Sequence, residues 1–79
     1  PINLTVYPNP FNSFIKLEAK DITQTFSIDL FDIMGRRVYS SMNRKQYPFY
    51  LDTRIIENGV YYLVVKSGTN AITKMLIKS

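Results

Sequence analysis

Short runs in which hydrophobic and polar residues alternate with a period of two, broken by turn residues, recur along this 79-residue chain, and no convincing helix is found. Ile15, Leu17 and Ala19 alternate with Phe14, Lys16 and Glu18, and Phe26, Ile28 and Leu30 alternate with Ser27 and Asp29. Both patterns predict half-buried strands. Val60–Lys66 is β-branched and aromatic on both faces, which predicts a central strand. Leu4–Tyr7 is a short extended run stopped by Pro8-Asn9-Pro10, because proline has no N–H to give to a ladder. Asp32-Ile33-Met34-Gly35 and Ser67-Gly68-Thr69-Asn70 read as turns, after which strands resume over Arg36–Ser41 and Ala71–Lys78. Tyr47–Leu51 adds a short strand with Pro48 at its start. Seven strands about 8–12 residues apart, with no helix, predict an all-β fold: a small seven-stranded antiparallel β-sandwich, immunoglobulin-like. Ile56-Glu57-Asn58-Gly59-Val60-Tyr61 has the spacing of the corner before the sixth strand of such sandwiches, where a tyrosine hydroxyl caps upstream backbone.

Composition narrows what such a fold can do. A chain of this length is one domain and buries only about 63% of its unfolded surface, too little for an enclosed active-site cavity. The 46% hydrophobic content argues for a folded unit, and no apolar run has the length of a membrane-spanning helix. Cysteine and histidine are absent, which removes the thiolate, the commonest general base and the commonest metal ligands. The net charge is +4, and residues 36–54 carry all of it: Arg36, Arg37, Arg44, Lys45 and Arg54 stand there against Asp52 alone. An acidic partner is conceivable at that stretch, and so is a solvated hairpin with none.

No catalytic constellation survives inspection. The serines lack a nucleophile elbow, and the three glycines are too scattered for a phosphate or dinucleotide loop, so an enzyme is not expected. Asp29, Asp32 and Asp52 fit no calcium-loop spacing; Asp29 reads as a strand residue and Asp32 as a turn former. Arginine and tyrosine interleave at Arg36-Arg37-Val38-Tyr39 and Arg44-Lys45-Gln46-Tyr47, yet the aromatic signatures of an RNA-binding sheet are missing. No nucleic-acid partner is expected, and Tyr39, Tyr47, Phe49 and Tyr50 are expected to pack in or rim the sandwich.

The order of the punctuation nonetheless resembles one family: the C-terminal sorting domain of the type IX (Por) secretion system, in its type A form. Val6-Tyr7-Pro8-Asn9-Pro10-Phe11 resembles the family's opening Pro-Asn-Pro. Asp29-Leu30-Phe31-Asp32-Ile33-Met34-Gly35-Arg36-Arg37-Val38 resembles its strand, Gly-Arg turn and returning strand. Leu51-Asp52-Thr53 with Glu57-Asn58-Gly59-Val60-Tyr61-Tyr62-Leu63-Val64-Val65 resembles its Gly-x-Tyr strand, and Thr73-Lys74-Met75-Leu76-Ile77 its lysine-bearing final strand. The resemblance makes Pro8, Asn9, Pro10, Gly35, Arg36, Gly59, Tyr61 and Lys74 the motif positions.

What the resemblance implies is an address and no catalysis. Residues 1–79 would be a domain excised from the C-terminus of a larger cargo that passes through the periplasm. The implied partners are the outer-membrane secretion machinery, its sortase and anionic lipopolysaccharide, to which family cargo is joined when it is not released; no cofactor and no transmembrane segment are implied. Surface or secreted localisation follows from the same resemblance. An exposed last strand offers backbone groups for strand addition by a receptor. Within Ala71 to Ser79, the uncharged Met75 and Ile77 are expected to face inward, leaving Lys74 and Lys78 outward. The competing reading is a fibronectin-like adhesion or carbohydrate-binding sandwich, which requires an exposed aromatic platform.

Overall fold

Alternation along the chain becomes strands wherever one parity can be buried, and the computed structural model describes residues 3–20, 25–44 and 48–79. The strands are β1 (Asn3–Tyr7), β2 (Phe14–Lys20), β3 (Phe26–Asp32), β4 (Arg37–Arg44), β5 (Phe49–Asp52), β6 (Gly59–Ser67) and β7 (Asn70–Lys78). They form two antiparallel sheets, ordered β1-β2-β5 and β4-β3-β6-β7. The expected all-β sandwich is therefore present, and the doubly apolar segment is central: β6 lies between β3 and β7.

The sheets close face to face over one core. Leu4, Ile15, Leu17 and Leu51 come from the three-stranded sheet, and Phe26, Ile28, Leu30, Tyr61, Leu63, Val65 and Leu76 from the other. Phe11, between β1 and β2, is also buried. Each large apolar side chain removed from water contributes about 1.5–3 kcal/mol, and here both sheets supply them at every second position. Tyr39 and Phe49 pack against this core, whereas Tyr50 stands exposed on the outer face of its sheet. Lys45 and Tyr47, and the side chain of Arg44, lie outside the described residues.

Two expectations need correction. Strand β4 does not stop at Ser41 but runs to Arg44, because Phe26 at the start of β3 pairs with Arg44 and extends the ladder past a bulge. The faces of β7 are also the reverse of those expected. Leu76 and Lys78 point inward and are buried, while Met75 and Ile77 are 54% and 40% exposed. Cross-strand neighbours share a face, and Leu76 lies opposite Tyr61 and Lys78 opposite Gly59. Once Tyr61 and Leu63 face the core, β7 has no freedom to choose. Avoiding buried charge is a weaker rule than that register, because a lysine stem can lie along apolar surface while its head finds oxygen.

The two motif glycines hold backbone that other residues rarely adopt. Gly35 has φ +82° and Gly59 +154°, and an added Cβ would meet nothing within 4 Å at Gly35 and only the Tyr61 ring at 4.0 Å at Gly59. Strain, and not a clash, is the cost of replacing them. Gly59→Ala and Gly59→Val should therefore each lower stability by at least about 1 kcal/mol and by similar amounts. Thermal unfolding checks this; an unchanged melting temperature, or a loss confined to the valine, would contradict it.

Candidate functional site: the clasp at the chain end

The Pro8-Asn9-Pro10 segment carries the chain from β1 across to the other sheet, with Tyr7–Pro8 and Asn9–Pro10 both cis. There Asn9 uses both ends of its amide on β7: Nδ2 donates to the Met75 carbonyl at 3.3 Å, and Oδ1 accepts the Ile77 amide at 3.0 Å. Phe11 continues the contact as a parallel bridge opposite Lys78. Its amide donates to the Ile77 carbonyl at 2.8 Å, and its carbonyl accepts the Ser79 amide at 3.1 Å. The Phe11 ring meets Tyr61 edge-on in the core, centroids 6.1 Å apart. The opening motif thus clasps the closing strand.

A second set of contacts holds the same end from inside. Tyr61 donates its hydroxyl to the Glu57 carbonyl four residues upstream at 2.5 Å, which is the expected tyrosine corner. Burial pushes the Tyr61 hydroxyl pKa up, so it keeps the proton it donates. Lys78, only 7% exposed, donates its ammonium to the carbonyls of Thr53 and Ile56, both at 2.5 Å. Thr53 is itself buried, giving its hydroxyl to the Asn12 carbonyl at 2.8 Å and its amide to the Ser13 carbonyl at 3.0 Å. The loop from β5 to β6 is therefore pinned both to the segment between β1 and β2 and to β7.

The Gly35-Arg36 turn lies beside this loop. Asp32 organises it: Oδ1 accepts the Met34 and Arg36 amides and Oδ2 accepts Arg36 Nε, at 2.8–2.9 Å. These bonds, the Arg36 amide foremost, hold the Asp32 carboxyl below the usual carboxylate range. The turn and the loop enclose an open groove of about 420 Å³, floored by Tyr61 and rimmed by exposed Ile33, Met34 and Ile55. Three bases of the segment are paired with carboxylates: Arg36 with Asp32, Arg37 with Asp29 and Arg54 with Asp52. Each of the three aspartates weighed as cation ligands thus holds its own arginine, and among the described residues no three acidic side chains gather.

Seven of the eight motif positions meet at one end of the sandwich. Arg36, Gly59 and Tyr61 border the groove, Gly35 belongs to the turn that forms one of its sides, and Asn9, between Pro8 and Pro10, makes the clasp on β7. Lys74 is the exception; it is exposed on the half of β7 that the clasp does not reach. Sequence reasoning missed Lys78 and undervalued Thr53. The only signal for either is a polar residue at an inward parity, legible once the strand's register is known. On the far side, the outer face of the three-stranded sheet exposes Tyr7, Phe14 and Tyr50, with the Lys16 ammonium over the rings of Tyr7 and Tyr50 at 5.5 and 5.4 Å.

These features define the class: an immunoglobulin-like all-β sandwich whose segment between β1 and β2 is locked onto its seventh strand, with no helix among the described residues long and apolar enough to cross a membrane. Residues 5–79 match the family model of the secretion system C-terminal sorting domain, and the chain belongs to that family, the sorting domains of type IX secretion. The family is one of sorting signals for export to the cell surface or beyond. No curated protein matches the chain.

Two stability measurements test the clasp. Lys78→Met keeps the stem but strands the Ile56 carbonyl and leaves the Thr53 carbonyl with only the Ile56 amide, at 3.3 Å, and should cost about 1–3 kcal/mol. Lys74→Gln should stay within about 0.5 kcal/mol of wild type, as exposed substitutions do. Chemical denaturation of both variants decides it; equal effects would contradict the assignment of Lys78 to the interior. The acid limb tests the turn. The Asp32 carboxyl is depressed on folding, and Asp52 is lowered to about 2 by hydrogen bonds from Arg54. Depressed carboxyls contribute stability that is complete above the unfolded carboxylate pKa and lost as pH falls through the folded one. Melting temperatures taken downward from about pH 5 should fall less steeply for Asp32→Asn than for wild type.

Proposed function

We propose that this chain is the C-terminal address of a larger cargo protein that passes through the periplasm and is taken across the outer membrane by the type IX machinery. A sortase then removes the domain, and the cargo is joined to anionic lipopolysaccharide or released. The observation that carries this reading is the convergence of the family's motifs on one clasped end. Motifs distant in sequence build a single rigid surface there, as a receptor that must recognise many cargoes requires. In this reading Pro8, Asn9, Pro10, Gly35, Arg36, Gly59 and Tyr61 shape the surface, and exposed Lys74 on the last strand is the residue the machinery reads. The role is non-catalytic.

Fusing residues 1–79 to a periplasm-directed fluorescent passenger in a type IX-competent host should bring the passenger to the surface without the domain. Retention in the periplasm would overturn the proposal. Lys74→Gln should fold normally yet leave the passenger in the periplasm; normal export would remove Lys74 from the recognised surface. The exposed strip of Tyr7, Phe14 and Tyr50 favours a second reading, the adhesion or glycan-binding module. That reading requires the domain to persist on the mature protein, so the same experiment separates the two.

A further inference from the structure

The clasp seals only half of the β7 edge. The β6–β7 hairpin sets the parity: with Ser67 opposite Asn70, even-numbered residues of β7 bond to β6 and odd-numbered residues turn their amides and carbonyls outward. The contacts at Met75, Ile77 and Ser79 confirm it, since those outward groups are the ones taken by Asn9 and Phe11. Above them, the amides of Ala71, Thr73 and Met75 and the carbonyls of Ala71 and Thr73 find no partner among the described residues, and Ala71 and Thr73 are exposed.

The other edges carry the devices that discourage pairing. Strand β4 is offset by register shifts at both ends of its ladder, β1 runs into Pro8, and β5 is a four-residue strand that follows Pro48. Strand β7 pairs with β6 in unbroken register over its whole length and contains neither proline nor bulge. Its outer face also continues an apolar surface, with exposed Tyr62 and Met75 and half-buried Phe31 and Val64. Two cations accompany the open stretch, one on each face: Lys74 lies within it on the face of Leu63, and Lys66 stands opposite the small Ala71 on the outer face; neither takes part in an ion pair among the described residues.

The geometry points to a strand-addition site at Ala71–Met75 whose occupant is an extended segment of a partner protein. That segment carries apolar side chains on the face it shares with Thr73 and Met75, and carboxylates beside Lys66 and Lys74. Backbone pairing supplies affinity, and the carboxylates set register. A second copy of this chain fits worse, because its β7 carries no carboxylate to meet either lysine and adds a second Lys74 to the pairing. The inference rests on the sorting reading only in naming that partner as part of the secretion machinery.

The test uses the chain of residues 1–79 and a short labelled synthetic peptide of alternating valine and threonine, with glutamates spaced to meet Lys66 and Lys74. The peptide should bind and slow hydrogen exchange at the amides of Ala71, Thr73 and Met75. Thr73→Pro removes an outward N–H without touching the β6 ladder, and should weaken binding at least about tenfold at nearly wild-type melting temperature. A Lys66→Glu/Lys74→Glu variant keeps every backbone group, and should switch preference to the lysine version of the peptide. Binding that Thr73→Pro leaves intact, or protection elsewhere or nowhere, would overturn the site. Protection of the same amides that grows with protein concentration in the absence of peptide would overturn the occupant in favour of a second copy. In the export assay, failure of the wild-type fusion would count against the sorting reading alone. Equal export of wild type and Thr73→Pro would overturn the machinery as partner while leaving the sorting reading intact.

Discussion

Everything in this sandwich depends on how β7 is held. It is both the edge of its sheet and the end of the described chain, so it has a single strand neighbour, β6. Terminal segments fray unless tied down. Here three independent ties act on the last few residues: the Asn9 amide on the backbone of Met75 and Ile77, the Phe11 bridge, and the Lys78 ammonium in the β5–β6 loop. Without them Leu76 and Tyr61 would lose a wall of the core, and the loop that carries the groove would lose its anchor.

This arrangement explains why a polar side chain is worth burying in so small a domain. An ammonium inside the fold is costly unless its protons are satisfied. Lys78 meets that cost with two loop carbonyls, that of Ile56 and that of Thr53, the latter also accepting the Ile56 amide at 3.3 Å. Phe11 acts in the same economical way. Its backbone extends the four-stranded sheet while its ring fills the core between the sheets, coupling the two layers through one residue.

Every contact of the clasp is made within the domain, so the fold carries its own complete core. The charge distribution follows the same logic. Of the segment that carries the excess positive charge, Arg36, Arg37 and Arg54 are spent on nearby carboxylates, whereas Lys66 on β6 and Lys74 on β7 form no ion pair among the described residues.

The strand pattern was legible because a period of two is local: Phe26, Ile28 and Leu30 declare a buried face without reference to anything else in the chain. The turn at Asp32–Gly35 and the corner at Tyr61 were legible for the same reason, since each is closed by residues within four positions of one another. The identity of the family was readable too, because its motifs are short and ordered. The inward face of β7 was not. Both parities of that strand mix apolar residues with polar ones, and only pairing with β6, whose own parity is set by the core, decides between them. Nor could sequence alone place Lys78 inside or bring Asn9 to Met75 and Ile77. Those contacts join groups far apart along the chain, and they exist only because two sheets must first pack before a loop carbonyl, a side-chain amide and a strand edge come within hydrogen-bonding distance.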